Sequence, residues 1–225
     1  MAKVIYFTSR ILPAMLASAL SLPALAQDAN LMVKHLAIAA GADGIKHTVE
    51  YTERLVRREN QVWVERVVPA GWNSAEEHKS ADKSHKHHLD VATSPRWVVR
   101  NADGTIGVKL AAHEERALVT VTKVDYDNVG FDGSWDVAYH LVDPAALKRM
   151  KVVSTRGDLV TYASSEAGRS VKVVWNSKLK FPASVETRHG ASSKRTTVEV
   201  LALAKTPPWN GVKGYQVKEY ADYLD

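Results

Sequence analysis

Between Lys151 and Ala204 the chain alternates five short β-rich runs with turn residues, and this rhythm restricts the fold more than any other feature. The runs are Lys151 to Ser154, Leu159 to Ser164, Ser170 to Trp175, Ala183 to Arg188 and Thr196 to Ala204. Between them stand Arg156-Gly157-Asp158, Glu166-Ala167-Gly168, Ser177 to Pro182 and Gly190-Ala191-Ser192-Ser193. Glycine, aspartate and serine at such positions favour tight reversals, so the segment reads as an antiparallel meander.

The same period of two occurs earlier. From Ile45, residues Val49, Tyr51, Glu53, Leu55 and Arg57 fall on one face of a long strand, and Thr48, Glu50, Thr52 and Arg54 on the other. Arg58-Glu59-Asn60 supplies a turn, and Gln61 to Val68 reads as the hairpin partner, stopped by Pro69 and Gly71. Further strands are expected at Arg96 to Arg100, Thr105 to Leu110 after the turn Asn101-Ala102-Asp103-Gly104, and Ala117 to Val124. Helices are expected at three places. Ala29 to Ala40 is rich in helix formers behind the cap Asp28, and Asp143 to Met150 has a cap, proline at the first helical position and basic residues in its last turn. In the tail, Tyr215 to Leu224 spaces apolar groups at helical intervals. The expected fold is mainly β: a strongly curved antiparallel sheet, or half-barrel, with a few short helices filling its hollow.

The first 26 residues stand apart from this pattern. Lys3 and Arg10 precede an apolar stretch from Ile11 to Leu25, closed by Ala24-Leu25-Ala26. That is the layout of a secretory signal peptide cleaved near Ala26, and the stretch falls short of the roughly 20 residues a membrane span requires. The expectation is a periplasmic, single-domain product of residues 27–225, peripheral to a membrane at most. Lys3 and Arg10 leave with the leader, so 30 basic residues against 25 acidic ones become 28 against 25. Basic and acidic residues interleave, as in Glu53-Arg54 and Glu65-Arg66, so nucleic acid is not an expected partner. The chain has no cysteine, which excludes disulfides, thiolate metal sites and cysteine nucleophiles.

Residues 72–90 interrupt the sheet pattern with a charged excursion. His78, His85, His87, His88 and Asp90 are its candidate metal ligands, with zinc or copper as the metal, because imidazole and carboxylate suit both ions. Lys79, Lys83 and Lys86 in the same run repel a cation, and a solvated loop is the competing reading. Catalytic signatures fail on inspection. His113-Glu114-Glu115 lacks the second histidine of a zinc hydrolase, since position 117 is alanine, and no Gly-x-Ser-x-Gly occurs. No catalytic residue is assigned.

Two stretches carry a family resemblance. Gln61-Val62-Trp63-Val64-Glu65-Arg66-Val67-Val68-Pro69, with Trp72 shortly after, resembles the second strand of the long hairpin in the lipoprotein-sorting (LolA/LolB-like) carriers of the bacterial periplasm. Val174 to Glu186, where a strand ends near Asn176 and restarts after Pro182, is similar to a later strand pair of that family. The resemblance implies a half-barrel with an apolar groove for a lipid, an acyl chain or a lipoprotein segment, and no enzyme. Trp63, Trp97, Trp135, Tyr162 and Trp175 are the candidates for lining that groove, with ordinary core positions as the alternative. A metal-binding or redox-accessory protein built on the His-rich run is the second functional expectation.

Overall fold

The computed structural model describes residues 28–41, 44–69 and 89–224. Twelve strands form one curved sheet that does not close into a barrel. In chain order they are β1 (Ala29–Ala40), β2 (Lys46–Arg58), β3 (Gln61–Arg66), β4 (Arg96–Arg100), β5 (Ile106–Ala112), β6 (Ala117–Val121), β7 (Lys151–Arg156), β8 (Leu159–Glu166), β9 (Arg169–Asn176), β10 (Phe181–His189), β11 (Ser192–Val200) and β12 (Gln216–Glu219). Their order across the sheet is β12-β6-β5-β4-β3-β2-β1-β11-β10-β9-β8-β7. Every neighbouring pair is antiparallel except β12 and β6, which run parallel. The half-barrel expected from the period of two is therefore the architecture. All five late strands occur in the expected order.

Ala29–Ala40 departs from expectation, because it is β1 and not a helix. Its alanines favour a helix by only tenths of a kcal/mol per residue, whereas as a strand it pairs along its whole length with β2 and over eight positions with β11. Leu31 and Val33 then fall on one face with Leu55 of β2, and all three are buried. The tail departs in the same way. Residues 216–219 add strand β12, and a single 3-10 turn, Tyr220–Tyr223, follows it.

Two short α-helices lie on one face of the sheet, here called the inner face. Helix α1 (Trp135–His140) begins at Ser134, whose Oγ accepts from the Val137 amide at 3.2 Å, and ends at Leu141 in the left-handed region. Helix α2 (Pro144–Leu147) begins at Asp143, whose Oδ1 accepts from the Ala145 amide at 2.8 Å, as the sequence predicts. The main core joins inner-face residues such as Leu31, Leu55, Val98 and Leu110 to Phe131 and Tyr139 above them. A smaller inner cluster places Leu147 of α2 on Val173 and Trp175. On the outer face, Trp63, Val56, Ala111 and Leu118 pack under Trp209 and Val212 of a 3-10 segment, Pro208–Val212. Among the described residues no helix is long and apolar enough to cross a membrane.

Candidate functional site

Side chains that face inward on β1 to β4 form the floor of a cleft of about 680 Å³. The register places Val33 beside Glu53, Glu53 beside Arg66, and His35 beside Tyr51, so each ladder step across these strands mixes apolar and charged groups. The roof is the segment 128–132, which includes Phe131, together with Val137, Ala138 and Leu141 from and just beyond α1. Val91, Ala92 and Ser94 close one side. Val33, Leu55, Val64, Val98, Phe131 and Leu141 give the cleft its apolar surface.

A polar network occupies part of the floor. His35 spans two strands, with Nε2 3.1 Å from Glu53 Oε2 and Nδ1 3.2 Å from Thr196 Oγ1. Its ring stacks on Tyr51 with centroids 4.6 Å apart, and the Arg66 guanidinium lies over Tyr51 at 3.8 Å. Burial pushes the Glu53 carboxyl up, but the His35 hydrogen bond and the charges of His35, Arg96 and Arg66 outweigh it and hold the group below the ordinary glutamate value. Burial likewise drives the Tyr51 hydroxyl upward, so it stays protonated. Thr196 does not line the cleft, so the hydroxyl–imidazole–carboxylate chain orients Glu53 and does not present a hydroxyl to a ligand.

Two arginines fasten the roof to the floor. Arg96 donates from Nη1 to the carbonyls of Val129 at 2.7 Å and Gly130 at 2.9 Å. Gly130 has a φ of 66°, so the turn favours glycine for its conformation, and a Cβ there would touch Arg96 Nη1 at 3.4 Å. Arg57, with 0% of its surface exposed, donates from Nη1 to Tyr139 O at 2.6 Å and Lys180 O at 3.2 Å, and from Nη2 to Leu179 O at 2.6 Å. Its guanidinium also lies over the Tyr139 ring at 4.6 Å and the Phe181 ring at 5.5 Å. A buried cation with several carbonyl acceptors is stable where an unsatisfied one would not be. His140 strengthens this junction, donating from Nδ1 to Lys180 O at 2.7 Å.

None of the five aromatic candidates is among the residues that line this cleft, and the structure divides them among three places, Trp63 with Trp97, Tyr162 with Trp175, and Trp135 apart. Trp63 and Trp97 lie on the outer face, a placement different from that expected of groove residues, because each is one position out of phase with the inward-facing Val62, Val64 and Val98. Trp63 Nε1 donates to Glu65 at 2.8 Å, while Trp97 stacks on Trp209 at 6.4 Å. Trp135 packs on Tyr139 within α1, and Tyr162 and Trp175 lie under α2. Of the metal candidates, His78, His85, His87 and His88 lie outside the described residues. Asp90 is engaged in a turn, with Oδ1 accepting from the Ala92 amide at 3.0 Å and Oδ2 from Thr93 Oγ1 at 2.6 Å. Among the described residues no group of three or more metal-ligating side chains forms. The cleft residues that the sequence reading missed, His35, Tyr51, Glu53, Arg66 and Arg96, did have a signal. Tyr51 and Glu53 alternate in phase with Leu55, and charge at core phase marks a polar group that faces inward.

No protein-family profile matches the sequence, and no curated protein does. Among solved structures, a LolA superfamily protein from Nitrosomonas europaea is similar over 80% of this chain and 88% of its own, at 9% sequence identity and a TM-score of 0.31. The resemblance to that superfamily is weak and partial.

Proposed function

We propose that the chain is an exported, non-enzymatic carrier that holds a lipid, an acyl chain or the lipidated segment of a protein in its inner-face cleft, and that it works in the periplasm. The observation that carries this reading is the cleft itself. Its volume of about 680 Å³ lies within the range of small-molecule sites, and valine, leucine and phenylalanine supply its apolar walls, while polar groups stand on the floor and, as Ser94, Asn128 and Asp132, at the side and roof. An apolar chain gains from leaving water for such walls in proportion to the area it buries. The N-terminal sequence of residues 1–26 supports export, because it has the layout of a secretory leader.

The test is extraction of the protein from its native host followed by mass spectrometry of the bound material, with titration of the purified protein by a fluorescent long-chain fatty acid. Co-purified lipid and saturable probe binding that weakens at least tenfold in Val137→Glu are expected, since that change sets a carboxylate in the cleft wall. Repeated recovery of empty protein together with no saturable binding would remove the reading.

A further inference from the structure

The charge of this molecule is divided along its sheet. Residues 148–200, which contain β7 to β11, carry eleven lysines and arginines against four carboxylates. The rest of the chain after residue 26 has 17 basic and 21 acidic residues. At one end of the basic half, the turns after β8 and β10 lie next to the β1–β2 hairpin, where the Ala40 amide donates to Ser192 Oγ at 3.1 Å. Arg149, Lys151, Lys172 and Arg188 surround a shallow depression there of about 720 Å³, with Ser165 and Ser170 between them. Among the described residues none of these four cations has an ion pair. Two carboxylates, Glu166 and Glu186, share the depression with these four cations, and Glu186 is already taken by Arg195 at 3.0 Å. Ile45, on the adjoining hairpin, is 56% exposed.

We propose that this basic end docks on the anionic lipid headgroups of a bilayer surface. Unpaired cations on several neighbouring strands, about 4.8 Å apart from strand to strand, make a broad positive field and not a pocket shaped for one ion. Exposed lysine and arginine side chains need no rearrangement to reach phosphate, and Ile45 supplies an apolar contact at the headgroup boundary. An acidic protein would use the same charge, but a continuous lipid surface satisfies cations that diverge across separate hairpins without requiring complementary shape. The docking surface is separate from the cleft, so its test does not depend on what the cleft holds.

The experiment is co-sedimentation of the full mature chain with vesicles of phosphatidylcholine, alone or with about 30% phosphatidylglycerol, at salt from about 0.05 to 0.5 M. Binding is expected only to the anionic vesicles and should fall steeply with salt. The triple variant Lys151→Glu/Lys172→Glu/Arg188→Glu should lose at least tenfold in partitioning. Lys123→Glu/Lys205→Glu/Lys213→Glu makes the same change in net charge on exposed positions of the other half and should lose less than twofold. All six side chains are exposed, and circular dichroism checks that both variants fold. Equal binding to neutral vesicles, equal loss in the two triple variants, or binding to soluble polyglutamate without binding to vesicles would each overturn the proposal.

Discussion

The two halves of the sheet solve the burial problem differently. The C-terminal part of β2 and strands β3 to β6 are covered on both faces, by α1 and the Phe131 segment inside and by the Trp209 segment outside, so no residue of β5 or β6 is exposed. Strands β7 to β11 are covered in part, by α2 over Val173 and Trp175 and by the main core at Phe181 and Val198, and every residue of β7 is exposed. Strand pairing with a thin inner cover is sufficient to extend a sheet once one part of it is anchored, and β7 extends it by pairing with β8 while wholly exposed. The second half keeps its ladder while giving its surface to charge, and the cleft forms where the covered half begins.

The largest effect should come from breaking the covered half. Trp63, 1% exposed, fills the outer cluster, so Trp63→Ala should cost about 3–5 kcal/mol in urea unfolding. Val153 on β7 is 59% exposed, and Val153→Ala should stay within about 0.5 kcal/mol. If the two variants lose similar stability, the division of the sheet into anchored and extended halves is wrong. Arg57 comes next, because it joins β2 of the covered half to α1 and to the turn before β10. Arg57→Ala leaves the Tyr139 and Leu179 carbonyls without that donor, and should cost about 2–4 kcal/mol. It should also weaken fatty-acid binding by displacing the roof. Loss of stability with unchanged binding would show that the cleft does not depend on this junction.

The meander was legible because its turns contain the residues that tight reversals require and its strands obey a period of two. Each late strand lies within a few residues of its expected position. The N-terminal strand was not legible from local propensity. Residues 29–40 are helix formers by composition, and it is pairing with β2 along the whole length and with β11, more than a hundred residues away, that makes them a strand. The aromatic candidates illustrate a related limit. Tryptophan signals burial but not which face it is buried on, and Trp63 turns outward because Val62 and Val64 hold the inner phase. The polar floor was readable in part, since Glu53 and Arg57 share the phase of Leu55. What sequence did not supply was the crossing of segment 128–132 over that face, which is fixed by the bonds of Arg96 to two backbone carbonyls.

Gly130 tests that crossing at smaller scale. Alanine in the left-handed region costs about 1–2 kcal/mol, and here its Cβ would also touch Arg96 Nη1 at 3.4 Å. Gly130→Ala should lower stability by about that amount and shift the roof. Gly157, with a φ of 56° in the turn between β7 and β8, has nothing within 4 Å of its would-be Cβ, so Gly157→Ala should show the backbone cost without any change in ligand affinity. If both variants bind the fatty-acid probe equally well, the roof does not sense the Arg96 contact.

The smallest expected effect is one of pH, at the junction between the two regions. His140 lies where α1 meets the turn before β10. Burial lowers its pKa, and although the Lys180 hydrogen bond and Asp136 act the other way, the net direction is below the ordinary histidine value. The unfolded chain therefore takes up a proton first as pH falls. Stability from the neutral, buried imidazole is complete above about pH 6.5 and is lost as pH drops through the lowered folded value. His140→Asn lacks this linkage, so the stability gap between the parent and the variant should narrow from pH 7.5 to pH 5, a range chosen to bracket the free-histidine value of about 6.5. A gap that stays constant or widens on acidification would mean that His140 gains its proton without cost, and that the junction between roof and sheet is open to solvent.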